Sequence, residues 1–314
     1  MSAVLDETYR RRATPPGSAQ FLSWLFAPAP ARAPLLGIFA LLAEWRAVMD
    51  ARTEVSVAAT KLAWWRDEMT RLAAGHPLHP ISRFLLELRA SRGAHAARID
   101  FRSLGAAVDA AACQVAGVPV ERGLDLPAYC DGLLGGPLLV AAQLGAGGRT
   151  DQTQRTPADE AALRACTSAL SAALYLARAI VDYRREARIG RIVFPVDELL
   201  SAGVDNDALA AAAAPPKLQD YLQRLRTRAD GYFDGALRAL PAAGGQRQRG
   251  LAVLAEIGRR HLCADRPPQA ENTRLREVYW AWRAARRAGS ARATHNPKQP
   301  GTGNERDDEQ HREP

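Results

Sequence analysis

Asp182 and Glu186 stand four residues apart in Ala177-Arg178-Ala179-Ile180-Val181-Asp182-Tyr183-Arg184-Arg185-Glu186-Ala187-Arg188. On a helix that spacing puts both carboxylates on one face, and Arg178 extends the face one turn back. The run upstream is apolar on nearly all sides (Ala169, Leu170, Ala172, Leu174, Leu176), which predicts a deeply buried helix ending in two acids. Buried carboxylates are costly unless a cation or an arginine compensates them. One arrangement is a self-satisfied ladder, Arg178 to Asp182 and Glu186 to Arg185 or Arg188. Spacing alone favours it, because i,i+4 pairs are common on helices.

Other chemistries lack their residues. Cys113, Cys130, Cys166 and Cys263 are widely spread and form no Cys-x-x-Cys pair, which argues against a zinc ribbon, a redox dithiol or a disulfide scaffold and suits a reducing cytoplasm. The histidines are scattered, mostly beside loops; His76 and His79 flank prolines and are assigned no chemistry. Gly132, Gly135 and Gly136 sit in an Ala/Leu helical context with no strand before them, so no dinucleotide or P-loop fingerprint is present. A Gly-x-Ser-x-Gly nucleophile elbow is absent.

The elements that position these residues are helices. In 314 residues, 47% are hydrophobic and only 6% aromatic, and β-branched runs are nearly missing. The pattern predicts helices over Leu35–Arg52, Val55–Ala73, Ile81–Ala90, Leu104–Val115, Pro127–Leu144, Pro157–Ala187, Lys217–Leu240, Gln246–Arg260 and Leu275–Arg287. Residues 1–18 read as a flexible arm without the apolar core of a secretory signal, 19–290 as one helical domain, and 291–314 as a disordered tail. The formal net charge of +8 is almost wholly arginine, since only Lys61, Lys217 and Lys298 are lysines. Arginine suits phosphates, carboxylates and anionic membrane surfaces. No clustering of bases with interleaved aromatics suggests nucleic acid.

The run from Asp182 to Pro195 resembles the second aspartate-rich motif of squalene/phytoene synthases, Asp-x-x-x-Asp followed by Ala-Arg-x-Gly-Arg-x-x-x-Pro. Glu186 stands at the second Asp, and Ala187, Arg188, Gly190, Arg191 and Pro195 fall in register. Ala40-Leu41-Leu42-Ala43 resembles the helix entering the first motif. Leu62-Ala63-Trp64-Trp65-Arg66-Asp67-Glu68 resembles the Trp-Arg segment, Tyr129 to Gly135 the Tyr-x-x-x-x-x-Gly helix, and Asp197-Glu198-Leu199 the start of the next helix. The resemblance spans about residues 20 to 288, in order and spacing. It implies an all-α isoprenoid-synthase bundle around a central cavity that joins two prenyl diphosphates head to head. Magnesium would be held by Asp182, Glu186, Asp50 and Glu54. Tyr129 would face the cavity with a catalytic part, and Arg178, Arg66 and Arg191 would bind the substrate. Mg²⁺ neutralises a departing diphosphate, and a dry aliphatic tunnel protects the allylic cation.

The chain departs from that pattern. An ungapped alignment of the first motif puts Met49 and Thr53 at the two metal-binding aspartates and leaves Asp50; a one-residue slip makes Asp50 and Glu54 the pair, rotated by ~100°. Arg178 replaces the customary Asn one turn before Asp182, and Val181 the customary Arg. A fixed cation there lowers metal affinity or contacts diphosphate itself. Some family members have lost the acids and act as assembly factors. The expectations are therefore a head-to-head prenyltransferase or a degenerate member that binds isoprenoids or assists assembly. Either is a cytoplasmic protein with peripheral contact at the inner membrane face, and no residue pattern specifies an oligomeric state. Asp67 and Glu68 read as a solvated face; Trp64, Trp65, Trp280 and Trp282 read as packing anchors.

Overall fold

The computed structural model describes residues 5–50, 54–146, 156–264 and 275–290. Among these residues there is no β-strand. The helices in chain order are α1 (Glu7–Ala13), α2 (Ala19–Phe26), α3 (Ala29–Asp50), α4 (Val55–Ala74), α5 (Pro80–Ser91), α6 (Ala94–Ala97), α7 (Ser103–Val115), α8 (Leu126–Cys130), α9 (Gly136–Ala146), α10 (Pro157–Ala187), α11 (Val196–Ala202), α12 (Asn206–Ala210), α13 (Pro216–Ala239), α14 (Arg249–Cys263) and α15 (Leu275–Ser290).

The expected helix boundaries hold within a few residues, because the caps are legible. Thr156 and Asp159 form a reciprocal capping box around Pro157, and Gly75 ends α4 in the left-handed conformation at φ 88°. Two of the expected helices differ in extent, and both differences involve a proline. The stretch 127–144 is split by a π-turn at Asp131–Gly135, where Gly136 N–H donates to the Asp131 carbonyl. Pro137 follows; it lacks a donor and crowds the carbonyl four residues back, and the wider turn absorbs this. Helix α3 starts early despite Pro34 inside it. Proline leaves the carbonyl four residues back without its helical donor. That carbonyl, on Pro30, accepts from Arg92 Nη2 at 2.6 Å, and Arg92 Nη1 donates to Leu144 O at 2.8 Å.

Helix α10 is the central rod. It packs on α13, α14, α8 and α9, while α3 lies against α9 and α5, and α4 against α7. By length and composition α10 passes as a membrane-crossing helix, but most of its apolar window is buried by these neighbours. Helices α14, α13 and α10 meet closely at Gly258. A Cβ there would lie 3.0 Å from Leu174 Cδ2 and 3.1 Å from two ring carbons of the fully buried Phe233. Gly258→Val is expected to lower the unfolding free energy by about 1–3 kcal/mol. Urea denaturation reads this as a lower midpoint at unchanged slope; an unchanged midpoint would show that the helices part freely.

The N-terminal segment is a correction. Residues 1–18 were expected as a loose arm, but Asp6 caps α1 by accepting from Thr8 N–H at 2.7 Å, and Leu5 and Ala13 are buried. Arg12 pairs with Glu44 of α3 at 3.1 Å. The amphipathic helix is held by a face that the sequence presents only once α3 is in place. The tail 291–314 lies outside the described residues.

Candidate functional site

A cavity of about 630 Å³ lies between α3 and α10, within the roughly 300–1,000 Å³ usual for small-ligand sites. Its body is aliphatic and aromatic: Phe39, Leu42, Leu133, Leu134, Leu138, Leu174, Val193 and Leu254. The α3 wall follows a helical stripe, Phe39, Leu42, Ala43, Arg46 and Met49. The α10 wall follows another, Leu174, Tyr175, Arg178, Ala179, Asp182 and Glu186. Both polar ends converge where α3 and α10 terminate.

There the acids meet arginines. Arg178 Nε donates to Asp182 Oδ2 at 3.0 Å, and Arg178 Nη2 donates to Asp50 Oδ1 at 3.1 Å. One guanidinium, with only 19% of its side chain exposed, thus ties the two helices together. Arg185 Nη2 donates to Glu186 Oε1 at 2.8 Å and lies 3.5 Å from both Asp50 and Asp182. Arg191 Nη1 donates to the Met49 carbonyl at 3.0 Å and sits 3.6 Å from Glu186 Oε2. Burial raises the Asp50 carboxyl above its ordinary value, against the pull of Arg185. Burial also lowers the Arg178 guanidinium, which Asp182 and Glu186 partly offset.

Asp182, Glu186, Arg178, Arg191 and Asp50 therefore come together, as the sequence suggested. Three other expected residues do not. Glu54 is the exposed N-terminal cap residue of α4, after α3 has ended at Asp50, so the two are not one turn apart on one helix; residues 51–53, including Thr53, lie outside the described set. Met49, not Asp50, is the α3 residue on the cavity wall. Arg66 is on the outer surface, paired with Asp109 of α7. Tyr129 lies behind the wall, its ring edge-on to Tyr175 at 5.5 Å. Tyr175 is the tyrosine that lines the cavity, and its hydroxyl donates to Val193 O at 2.9 Å. Burial raises both phenols.

Sequence reasoning missed Arg46, Tyr175, Trp45 and Gln20; the Glu186–Arg185 pair of the ladder read from the spacing is present. Arg46 and Tyr175 carried a signal, since each continues the helical stripe of a motif acid toward the N-terminus. Arg46 forms no ion pair or hydrogen bond with a described residue, so it is the uncommitted cation of the wall. Gln20 Oε1, Trp45 Nε1 and Glu186 Oε2 are buried polar atoms of lining residues without hydrogen-bond partners.

A model of the squalene/phytoene synthase family matches residues 15–284. The chain belongs to the squalene/phytoene synthase family. Among solved structures, it is similar to a dehydrosqualene synthase crystallised with a ligand, at 17% identity and a TM-score of 0.67, over 88% of this chain and 92% of that one. It is also similar to squalene synthase HpnC from Alicyclobacillus acidocaldarius, at 20% identity and a TM-score of 0.63, over 82% of this chain and 91% of that one. No curated protein sequence matches the chain. The all-α isoprenoid-synthase fold expected from the sequence is thus the fold of this family member.

The magnesium that the family fold implies does not fit these side chains. Mg²⁺ requires a near-octahedral oxygen set that its holders leave open. Here Asp50 and Asp182 point one oxygen each at the same arginine, and Glu186 is flanked by Arg185 and Arg191. No group of three His, Cys, Asp or Glu suited to a metal occurs among the described residues. Arg178 takes up the role of bridging cation between the two acid-bearing helices.

Proposed function

We propose that this family member binds a prenyl diphosphate or a related isoprenoid without a metal and does not ionise it. The observation that carries this is the Arg178 guanidinium held between Asp50 and Asp182 at the polar end of an apolar cavity. The hydrocarbon chain occupies the aliphatic body, where burial contributes roughly 25 cal/mol per Å² of apolar surface. The anionic head lies against Arg46 and Arg178, and the Trp45 indole N–H is a donor still to be used. Arginine recognises phosphate oxygens in a planar, bidentate manner and needs no metal to do so. Ionising a diphosphate would require more neutralising charge than Arg46 supplies beside Arg178, Arg185 and Arg191, which are already engaged by the acids of the site. The reading therefore favours a binding or assembly role over catalysis.

Calorimetry with farnesyl diphosphate tests it. The expected result is binding in EDTA, an affinity changed less than two-fold by Mg²⁺, and no release of free diphosphate. Binding that requires Mg²⁺, or metal-dependent diphosphate release, would sink the proposal.

One observation favours the second reading, head-to-head condensation of two prenyl diphosphates. Glu186 Oε2 is buried and accepts no hydrogen bond, its Arg191 ion pair standing at 3.6 Å, so it keeps an acceptor site that a ligand or a second cation would satisfy. Under that reading, diphosphate release disappears in Glu186→Gln.

A further inference from the structure

Helix α15 turns its small residues inward. Ala281, Ala284 and Ala285 are buried, and so is its only acid, Glu277, which lies 3.7 Å from His261 of α14. Its other side exposes Arg276, Tyr279, Trp282, Arg283, Arg286 and Arg287. At about 100° per residue these six fall in one arc of less than half the circumference. Tyr279 is 52% and Trp282 43% exposed. Their rings stack at 6.0 Å, with Arg283 over Tyr279 and Arg286 over Trp282 at 5.7 and 4.9 Å. Helix α2 packs against α15 and adds Phe21, Trp24 and the 39%-exposed Leu25, which share one helical edge. The same α2 helix lines the cavity through Gln20. The outer face of α15 and the Phe21–Trp24–Leu25 edge of α2 take no part in that cavity.

We propose that the outer face of α15, with the Phe21–Trp24–Leu25 edge of α2, docks the protein on an anionic lipid bilayer. Tyrosine and tryptophan have an apolar body and a polar tip, and they settle at the headgroup boundary. A row of arginines with no acid in the same arc is attracted by the negative surface potential of anionic lipids. The half-buried apolar edge of α2 gives that contact something to place among acyl chains. Single-stranded nucleic acid also pairs with arginine, but it requires open ring faces on which bases stack. Here the rings stack on each other and each carries an arginine, which leaves less open face for a base. The exposed leucine would also have no counterpart on a nucleic acid.

The experiment is co-sedimentation of the full chain, without isoprenoid, with vesicles of phosphatidylcholine alone or with about one-third phosphatidylglycerol. Binding is expected only to the anionic vesicles, with release at high salt. Each neutralised arginine is expected to weaken it roughly five-fold, so Arg283→Gln/Arg286→Gln together weaken it roughly 25-fold. Trp282→Ala/Tyr279→Ala is expected to weaken binding at equal charge. All four side chains are exposed, so unchanged thermal unfolding shows that the variants are folded. The proposal fails if anionic vesicles do not pull the chain down at low salt, or if the variants bind as well as the natural protein. It also fails if a single-stranded oligonucleotide is bound more tightly than the vesicles. Because no isoprenoid is present, these outcomes are separate from those of the cavity experiment.

Discussion

An Arg178→Asn protein is expected to lose about 2–3 kcal/mol of stability in EDTA and to regain part of it in millimolar Mg²⁺. The natural protein is expected to be indifferent to the metal. The loss follows from the geometry. Among the described residues, Asp50 and Asp182 each keep only Arg185, at 3.5 Å, when the closer guanidinium is gone. The sites are partly open to water, which holds the cost below that of a fully buried pair. Asparagine is the residue the family pattern carries at this place, and it frees the carboxylate oxygens that a cation needs. The pH dependence has a definite sign. Asp50 already sits above its ordinary 3.8 because of burial. As pH rises from that value, the unfolded chain releases the proton first, so stability falls across the window up to the folded value. Without Arg178 the folded value climbs and the window widens. Thermal unfolding with and without Mg²⁺, from pH 4 to pH 7, reads both effects. A natural protein stabilised by Mg²⁺ as strongly as the variant would show that Arg178 does not stand in for the metal.

Glu68→Ala is expected to be the most damaging single change away from the cavity, at about 3–5 kcal/mol. The Glu68 side chain has 0% exposure and sits among three donors. It accepts from Leu78 N–H at 2.9 Å, His79 N–H at 2.7 Å and Arg71 Nε at 2.9 Å. These hold the turn between α4 and α5, and alanine would leave the backbone donors without partners in a closed site. Burial alone would raise this carboxyl, but the combined hydrogen bonds outweigh it and hold the group below its ordinary 4.5. Its stabilisation is therefore complete above pH 4.5 and is lost as pH falls toward the folded value. The midpoint of thermal unfolding should drop by roughly 10 °C at neutral pH. The gap to the natural protein should close in acid. A gap independent of pH would mean that packing, not the charge, is what the residue contributes.

Glu68 also shows where linear reading fails. In the sequence, Trp65-Arg66-Asp67-Glu68 has the alternating charge of a solvated face, and Asp67 is exposed as expected. Glu68 faces inward because α5 returns across α4 and offers it unpaired backbone N–H groups, which no local pattern announces. Arg66 fails in the opposite direction. Its neighbour Trp65 is buried, but one residue further is about 100° round the helix and outside. Tyr129 misled for a similar reason: the π-turn just after it shifts the phase of the helix, and Tyr175 takes the cavity wall.

The sequence alone determined the helical class, the family, most helix boundaries and the face shared by Arg178, Asp182 and Glu186. All of these depend on periodicity and caps within a single helix, where residue spacing is a direct ruler of direction. Spacing could not show which acid of the first motif meets that face, because two helices brought together in space carry no common register in the chain. Tertiary structure placed Glu54 at the start of a separate helix and set Arg178 between Asp50 and Asp182. The pairing of charges from separate helices depends on distances of a few ångströms, which only the folded chain fixes.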